Sequence, residues 1–142
     1  MAFVHGVVEV FKLDDSAGTL RDLSTYLTNI DHPREQSSPE STTFQVAGRA
    51  RTFIVGLNGA TISISGLYDS TATTGPDVVL SGNIGKLTTS TYEYGPEGST
   101  TGLVKYTGEC ILNNYSISGP VDGIVTFAAD LQITGVVTRT TF

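Results

Sequence analysis

From Val125 to Val137 the chain alternates with almost no interruption. Val125, Phe127, Ala129, Leu131, Ile133 and Val137 share one parity, while Thr126, Asp130, Gln132 and Thr134 hold most of the other. Successive side chains of a strand point to opposite faces, so this pattern predicts one strand with an apolar face and a wet face. At a rise of roughly 3.3 Å per residue, thirteen residues make a strand of about 40 Å, far longer than the usual five or six residues. A strand of that kind needs equally long neighbours. The pattern therefore predicts a large antiparallel sheet, polar on one side, closing as a sandwich or partial barrel within one chain or across several.

The neighbours are visible. In the stretch RTFIVGLNGATISISGLYD, from Arg51 to Asp69, Ile62 and Ile64 alternate with Thr61, Ser63 and Ser65. Asn58-Gly59 has the chemistry of a tight turn and predicts a hairpin between Arg51–Leu57 and the strand that follows. Leu103 to Ser118 reads as one long strand or a broken pair. Its apolar parity changes between Cys110/Leu112 and Tyr115/Ile117, which places a β-bulge at Asn113-Asn114. Lys86–Tyr94, with Tyr92 and Tyr94 on one face, and Phe3–Leu13 predict two more strands. Thr28–His32 reads as extended, because Pro33 disfavours helix for the residue before it.

Gly, Thr and Ser are abundant, which favours strands and turns over helices. Asp14–Gly18, Gly95-Pro96-Glu97-Gly98 and Gly119–Gly123 are turn clusters. One helix is predicted, Pro76–Ile84, with Pro76 in its first turn, Asp77 beside its positive end and Gly85 just past its end. Val79, Leu80 and Ile84 form its expected apolar side. Asp22 or Ser24 is placed to cap one short helical turn over Leu23–Leu27. At 142 residues the whole chain, 1–142, is read as one domain.

Charge is scarce. Asp, Glu, Lys and Arg make up 15% of the chain, yet the net charge is −6. An ordinary soluble domain carries about 25%. Few charges on a β-rich chain point to surfaces covered by assembly, since interface cores are depleted in charge. The acidic balance argues against gripping phosphates through a basic patch. The chain has no apolar run of 18 residues, and its start lacks the basic residues and cleavage site of a signal peptide. Synthesis in a cytoplasm is the expectation.

Residue types offer no chemistry. His5 and His32 stand far apart without patterned partners, so both read as structural and no metal site is expected. The lone Cys110 reads as a small buried hydrophobe. No nucleophile elbow, phosphate loop or acidic metal loop is present. Tyr92, Tyr94, Tyr106 and Tyr115 read as packing residues, though a carbohydrate- or receptor-binding sandwich would use them as a stacking platform. Neither a catalytic residue nor a cofactor is expected.

Arg34 to Arg49 is different. It is polar and aperiodic, and sixteen such residues are long for a loop in a compact domain. It reads either as a mobile surface loop or as an arm that orders against a neighbouring subunit; as a loop it would expose Phe44 and Val46 for no return. Arg34, Gln36, Ser38, Glu40, Phe44, Val46 and Arg49 are therefore the candidate contacts of an intersubunit arm.

Several phrases together carry a resemblance: VFKLDDSAGTLRDLSTYL, HPREQ with the later STTF, RTFIVGLNGATISISGLYD, and ISGPVDGIVTFAADLQITG. In that order they resemble the major tail tube proteins of long-tailed double-stranded DNA bacteriophages, in their short single-domain version. The resemblance implies a β-sandwich-like domain with a short helix. It implies hexameric rings in which each subunit adds strands to a continuous inner β-barrel, and stacking of those rings into a tube through which DNA leaves the capsid. A location in the virion tail follows, with synthesis in the host bacterial cytoplasm. The expected partners are further copies of the chain, a tape measure protein inside the tube, a tail terminator, and distal tail or baseplate proteins. DNA is expected to pass without specific binding. On that reading the candidate lumen residues are Thr61, Ser63, Ser65, Thr126, Asp130, Gln132 and Thr134.

Overall fold

The structure, a computed structural model, describes residues 3–142. It contains seven strands: β1 (Val10–Asp14), β2 (Leu20–Asp22), β3 (Leu27–Asp31), β4 (Thr61–Leu67), β5 (Ser90–Gly95), β6 (Val104–Ser118) and β7 (Thr126–Thr141). They form one antiparallel sheet in the order β2-β1-β5-β6-β7-β4-β3. One helix, α1 (Pro76–Asn83), packs on the same face as the core. The mostly β, antiparallel fold with a single short helix is as the sequence predicts.

The sheet is rolled, and chain connectivity shows why. Its two edge strands, β2 and β3, are consecutive in sequence and joined only by Leu23–Tyr26. Seven flat strands would set those edges about 29 Å apart at the usual ~4.8 Å spacing. Five residue steps reach at most about 18 Å. The sheet must curl, and its edges face each other without pairing, so it is a partial barrel left open. One sheet rolled over on itself does the work of two stacked layers. The core fills the inside: Phe11, Leu13, Ile62, Tyr92, Cys110 and Leu131 are all fully buried, and Leu23 of the edge connection joins them. Each fully buried aliphatic side chain of this kind contributes about 1.5–3 kcal/mol.

Alternation builds the sheet as read. In β4, Ile62 and Ile64 are buried while Thr61, Ser63 and Ser65 face outward, half exposed. In β7, Phe127, Ala129, Leu131 and Ile133 are buried on one parity. The bulge at Asn113-Asn114 is present: Leu112 pairs with Leu131, but Asn114 pairs with Asp130. A second bulge sets Gly108 against Gly135–Val137.

Four expectations need correction. Arg51–Leu57 and the following strand do not form a hairpin turning at Asn58-Gly59. Asn58 instead bridges Gln36, and neither Asn58 nor Gly59 has a positive φ. The first strand begins at Val10, because residues 6–8 coil into a short 3-10 turn that leaves Phe3 and Val7 exposed. Lys86–Thr89 lies outside β5; Lys86 is drawn back to Asn83 and Asp15. Ile84 ends α1 half exposed, whereas Val79 and Leu80 are buried as read; Gly85 follows at φ +82°.

Candidate functional site

The outward face of the roll is mostly polar across β3, β4, β7 and β6, interrupted by Ala128 and the half-exposed Ile111. Register pairs Thr61 with Gln132, Ser63 with Asp130 and Ser65 with Ala128. The pairs are tied by side chains. The Thr61 hydroxyl lies 3.0 Å from Gln132 Oε1 and the Ser63 hydroxyl 3.1 Å from Asp130 Oδ1, each donating to the amide or carboxylate. Gln132 Nε2 then donates to the Ala60 carbonyl at 3.1 Å. Cross-strand bonds of this kind hold a row of hydroxyls and amides flat and satisfied. Thr126 and Thr134 continue the same face of β7, half exposed.

The sequence reading missed the neighbours of this face. Asn29 and Asp31 of β3 pair with Ser65 and Ser63. On β6, Asn114, Ser116 and Ser118 pair with Asp130, Ala128 and Thr126, and Glu109 pairs with Thr134. The alternation of Asn114, Ser116 and Ser118 beyond the bulge was the available signal. Across β3, β4, β6 beyond Lys105 and β7 before Arg139, no Lys or Arg occurs, while Asp31, Glu109 and Asp130 do.

The second feature is the excursion between β3 and β4. The arm is longer than Arg34–Arg49 and has two legs. Antiparallel backbone bonds join them: Ser37 N to the Leu57 carbonyl, Gly56 N to the Ser37 carbonyl, Ile54 N to the Pro39 carbonyl and Ser41 N to the Thr52 carbonyl. Gln36 bridges Asn58, and Glu40 bridges Phe53. The Arg51 guanidinium grips the Glu40 carboxylate through two nitrogens, which holds that carboxyl below its usual range. Ser38 lies exposed on the first leg. Phe44 projects fully exposed at the tip, with Val46 half buried beside it. Gln45 and Arg49 adopt positive φ there, a conformation that costs a non-glycine residue about 1–2 kcal/mol.

The root of the arm is anchored by His32. Its ring lies 5.4 Å from those of Tyr92 and Tyr94 and 5.6 Å from that of Tyr106, and its Nε2 is 2.9 Å from the Tyr92 hydroxyl. Arg34 stacks over Tyr106. Burial pushes the His32 imidazole below its ordinary pKa; the nearby Arg34 charge adds to this and Asp31 opposes it. A cleft of about 430 Å³ separates the arm root from Ile133 and Val136 of β7.

The four tyrosines are thereby accounted for. Tyr92 is buried, Tyr94 and Tyr106 pack on His32, and Tyr115 donates to Asp77 Oδ1 at 2.9 Å. They form no exposed stacking platform. Cys110 is buried, and desolvation pushes its thiol up to about 12, so it carries no thiolate at neutral pH. Among the described residues no three His, Cys, Asp or Glu side chains are grouped to hold a metal ion, and no helix is long and apolar enough to cross a membrane.

Comparison with known proteins agrees with this geometry. The fold is similar to that of the tail of an empty gene transfer agent particle, refined with C6 symmetry (TM-score 0.81, 15% identity, covering 98% of this chain and 100% of that one). It is also similar to the SPP1 tail tube (TM-score 0.67, 12% identity, 99% of this chain and 80% of that one). A chain of the anti-feeding prophage baseplate shares it as well (TM-score 0.71, 5% identity, 99% and 96%). No curated protein sequence matches the chain. The sequence model of phage tail tube proteins matches residues 6–139, nearly the whole length, and the chain therefore belongs to the phage tail tube protein family.

Proposed function

We propose that this structural tube subunit forms six-membered rings that stack into a hollow tail tube, with the polar face of β3, β4, β7 and β6 lining the bore. One observation carries the reading: that face holds three carboxylates and a ladder of small hydroxyls and amides, and no Lys or Arg. A wall that neutralised phosphates would hold DNA by releasing its counterions. Asp31, Glu109 and Asp130 repel the backbone instead, and Thr61, Ser63, Ser65, Thr126, Gln132 and Thr134 keep the surface hydrated. DNA slides past such a wall without being recognised. The six-fold order is supported by likeness to the gene transfer agent tail.

The arm, with Arg34, Gln36, Ser38, Glu40, Phe44, Val46 and Arg49 on its first leg and tip, reaches an adjacent copy. The proposal also implies a tape measure protein in the bore, a terminator and baseplate proteins at the two ends, and synthesis in the host bacterial cytoplasm before incorporation into the virion.

The test is to replace Ser63 and Asp130 with Lys, assemble tubes from both proteins and measure retained double-stranded DNA against salt. The Lys tubes should hold several-fold more DNA at low salt, and the excess should vanish as salt rises. Equal retention, or a tube reconstruction with Asp130 pointing away from the bore, would overturn the assignment.

A further inference from the structure

The two ends of the long β6–β7 hairpin are both apolar, and they are different. At one end, beyond the Ser118–Thr126 pair, the connection carries Val121, fully exposed, and Ile124, mostly exposed. At the other end the N-terminal segment, ordered by a bond from Val7 N to His5 Nδ1, turns Phe3 and Val7 outward. That segment enters β1 at Val10, which pairs with Gly95 at the end of the sheet where β6 begins and β7 finishes. From Tyr106 to Ser118 the strand runs about 40 Å, so the two patches stand at opposite ends of the subunit.

Both segments are themselves nearly free of charge. Residues 3–8 contain no Asp, Glu, Lys or Arg, and residues 116–126 contain only Asp122. Charge depletion over exposed apolar side chains marks the centre of an interface rather than a solvated surface. The body of the roll leaves Phe3, Val7, Val121 and Ile124 largely exposed.

We propose that the 119–125 connection of one copy seats on the Phe3–Val8 segment of a second copy, and that this contact stacks one ring on the next. This contact presupposes the tube proposed above. Two different patches, one at each end of the same axis, make a head-to-tail contact that repeats by translation and never closes on itself. A lumen face cannot supply this contact, because it must stay wet. The contact fixes the direction of the tube: every copy presents its 119–125 connection toward one end and its N-terminal segment toward the other. Six copies per ring multiply a small patch into a firm joint.

The test uses the full chain with Val7→Cys and Val121→Cys together, treated with a short bismaleimide after assembly. Cys110 is buried and does not compete. The expected result is a ladder of covalent dimers, trimers, tetramers and beyond, with each single-cysteine variant remaining monomeric. Val121→Asp, at a fully exposed position, should melt as the wild type does and yield rings but at least tenfold fewer tubes. A ladder that stops at dimers, dimers from Val121→Cys alone, or wild-type tube yield from Val121→Asp would each overturn the proposal. Hollow wild-type tubes without the ladder would sink this contact and leave the tube reading standing. A ladder without hollow tubes would do the reverse.

Discussion

The rolled sheet and the arm use the same kinds of residues and treat them oppositely. In the sheet, Phe11, Ile62, Leu131 and Tyr92 have no exposure at all. In the arm, Phe44, Val55 and Leu57 lie almost fully in solvent. The sheet closes its apolar face on itself by rolling, which leaves hydroxyls outside. The arm is a two-legged ribbon with no third layer, and two strands alone are marginal in water. Its backbone bonds, one exposed Arg51–Glu40 pair and the His32 anchor set its shape, while the described residues leave Phe44, Val55 and Leu57 exposed. The body thus buries its own apolar face, and the proposal above gives the arm's exposed side chains a surface on another copy to meet.

The largest effect expected from sharpening this contrast lies in the body, where the roll comes together. A side chain on Gly66 would begin 2.1 Å from the Tyr26 carbonyl oxygen, a backbone atom of the connection just before β3. Leu27 pairs with Gly66 beside a register shift, so the edge strand is pressed close at this point. Gly66→Ala should force β3 outward and destabilise the fold by about 1–3 kcal/mol, measured by urea unfolding. Unchanged stability would mean that the edge is loosely held and the roll is not a rigid unit.

The next effect lies at the joint between the two regions. Because burial among Tyr92, Tyr94 and Tyr106 lowers the His32 pKa, the unfolded chain binds a proton there at a pH where the folded chain does not. The stability contributed by neutral His32 is complete above the unfolded value of about 6.5. It falls as pH drops below that value and stops falling once the folded imidazole also protonates. The melting temperature should therefore decline as pH falls below 6.5, and His32→Phe should abolish that part of the decline. Asp15 titrates in a separate, lower window. Bonds from Thr19 N and Ala17 N and the Arg21 guanidinium keep its carboxyl below the ordinary range, so its contribution is present above about 3.8 and lost on further acidification. A variant that retains the full decline below pH 6.5 would show that His32 does not carry it.

How much of this was legible in the sequence follows the same division. The strands of the body were legible because a buried face imposes period two, as in Ile62/Ile64 and Phe127–Ile133, and because a parity slip marks a bulge, as at Asn113-Asn114. Helix α1 was legible from Pro76 and Gly85. The arm was legible only as an anomaly. Asn58-Gly59 has strong local turn chemistry, but a partner leg more than twenty residues upstream, bridging at Gln36, determines its conformation. His32 packs among Tyr92, Tyr94 and Tyr106, rings from strands sixty residues or more away, and no local pattern announces that cage. The roll itself is a consequence of connectivity, with edge strands joined by four residues, and single-strand periodicity says nothing about which strands are edges. The polar face of β4 and β7 was legible as a parity; the ladder of bonds across it needed the register.

The smallest effect on stability belongs to the arm, and it is the most informative. Removing Ser37–Ser41 takes out Glu40 and most of one leg, including the bonds to Thr52, Ile54, Gly56 and Leu57. None of those residues belongs to the buried core of the roll, and the Arg51–Glu40 pair is exposed, where ion pairs contribute little. The shortened chain should unfold in urea within about 0.5 kcal/mol of the full chain, the range of surface changes. Its assembly should nevertheless fail, because the leg and the tip carrying Phe44 no longer reach a neighbour. Electron microscopy of the concentrated protein separates the outcomes. A stable monomer without tubes would establish that the arm serves assembly and not folding. Tubes of normal appearance would make the arm an idle surface loop and leave its exposed Phe44, Val55 and Leu57 without a purpose. A chain that fails to fold would show that the arm belongs to the body after all, and the contrast between the two regions would dissolve.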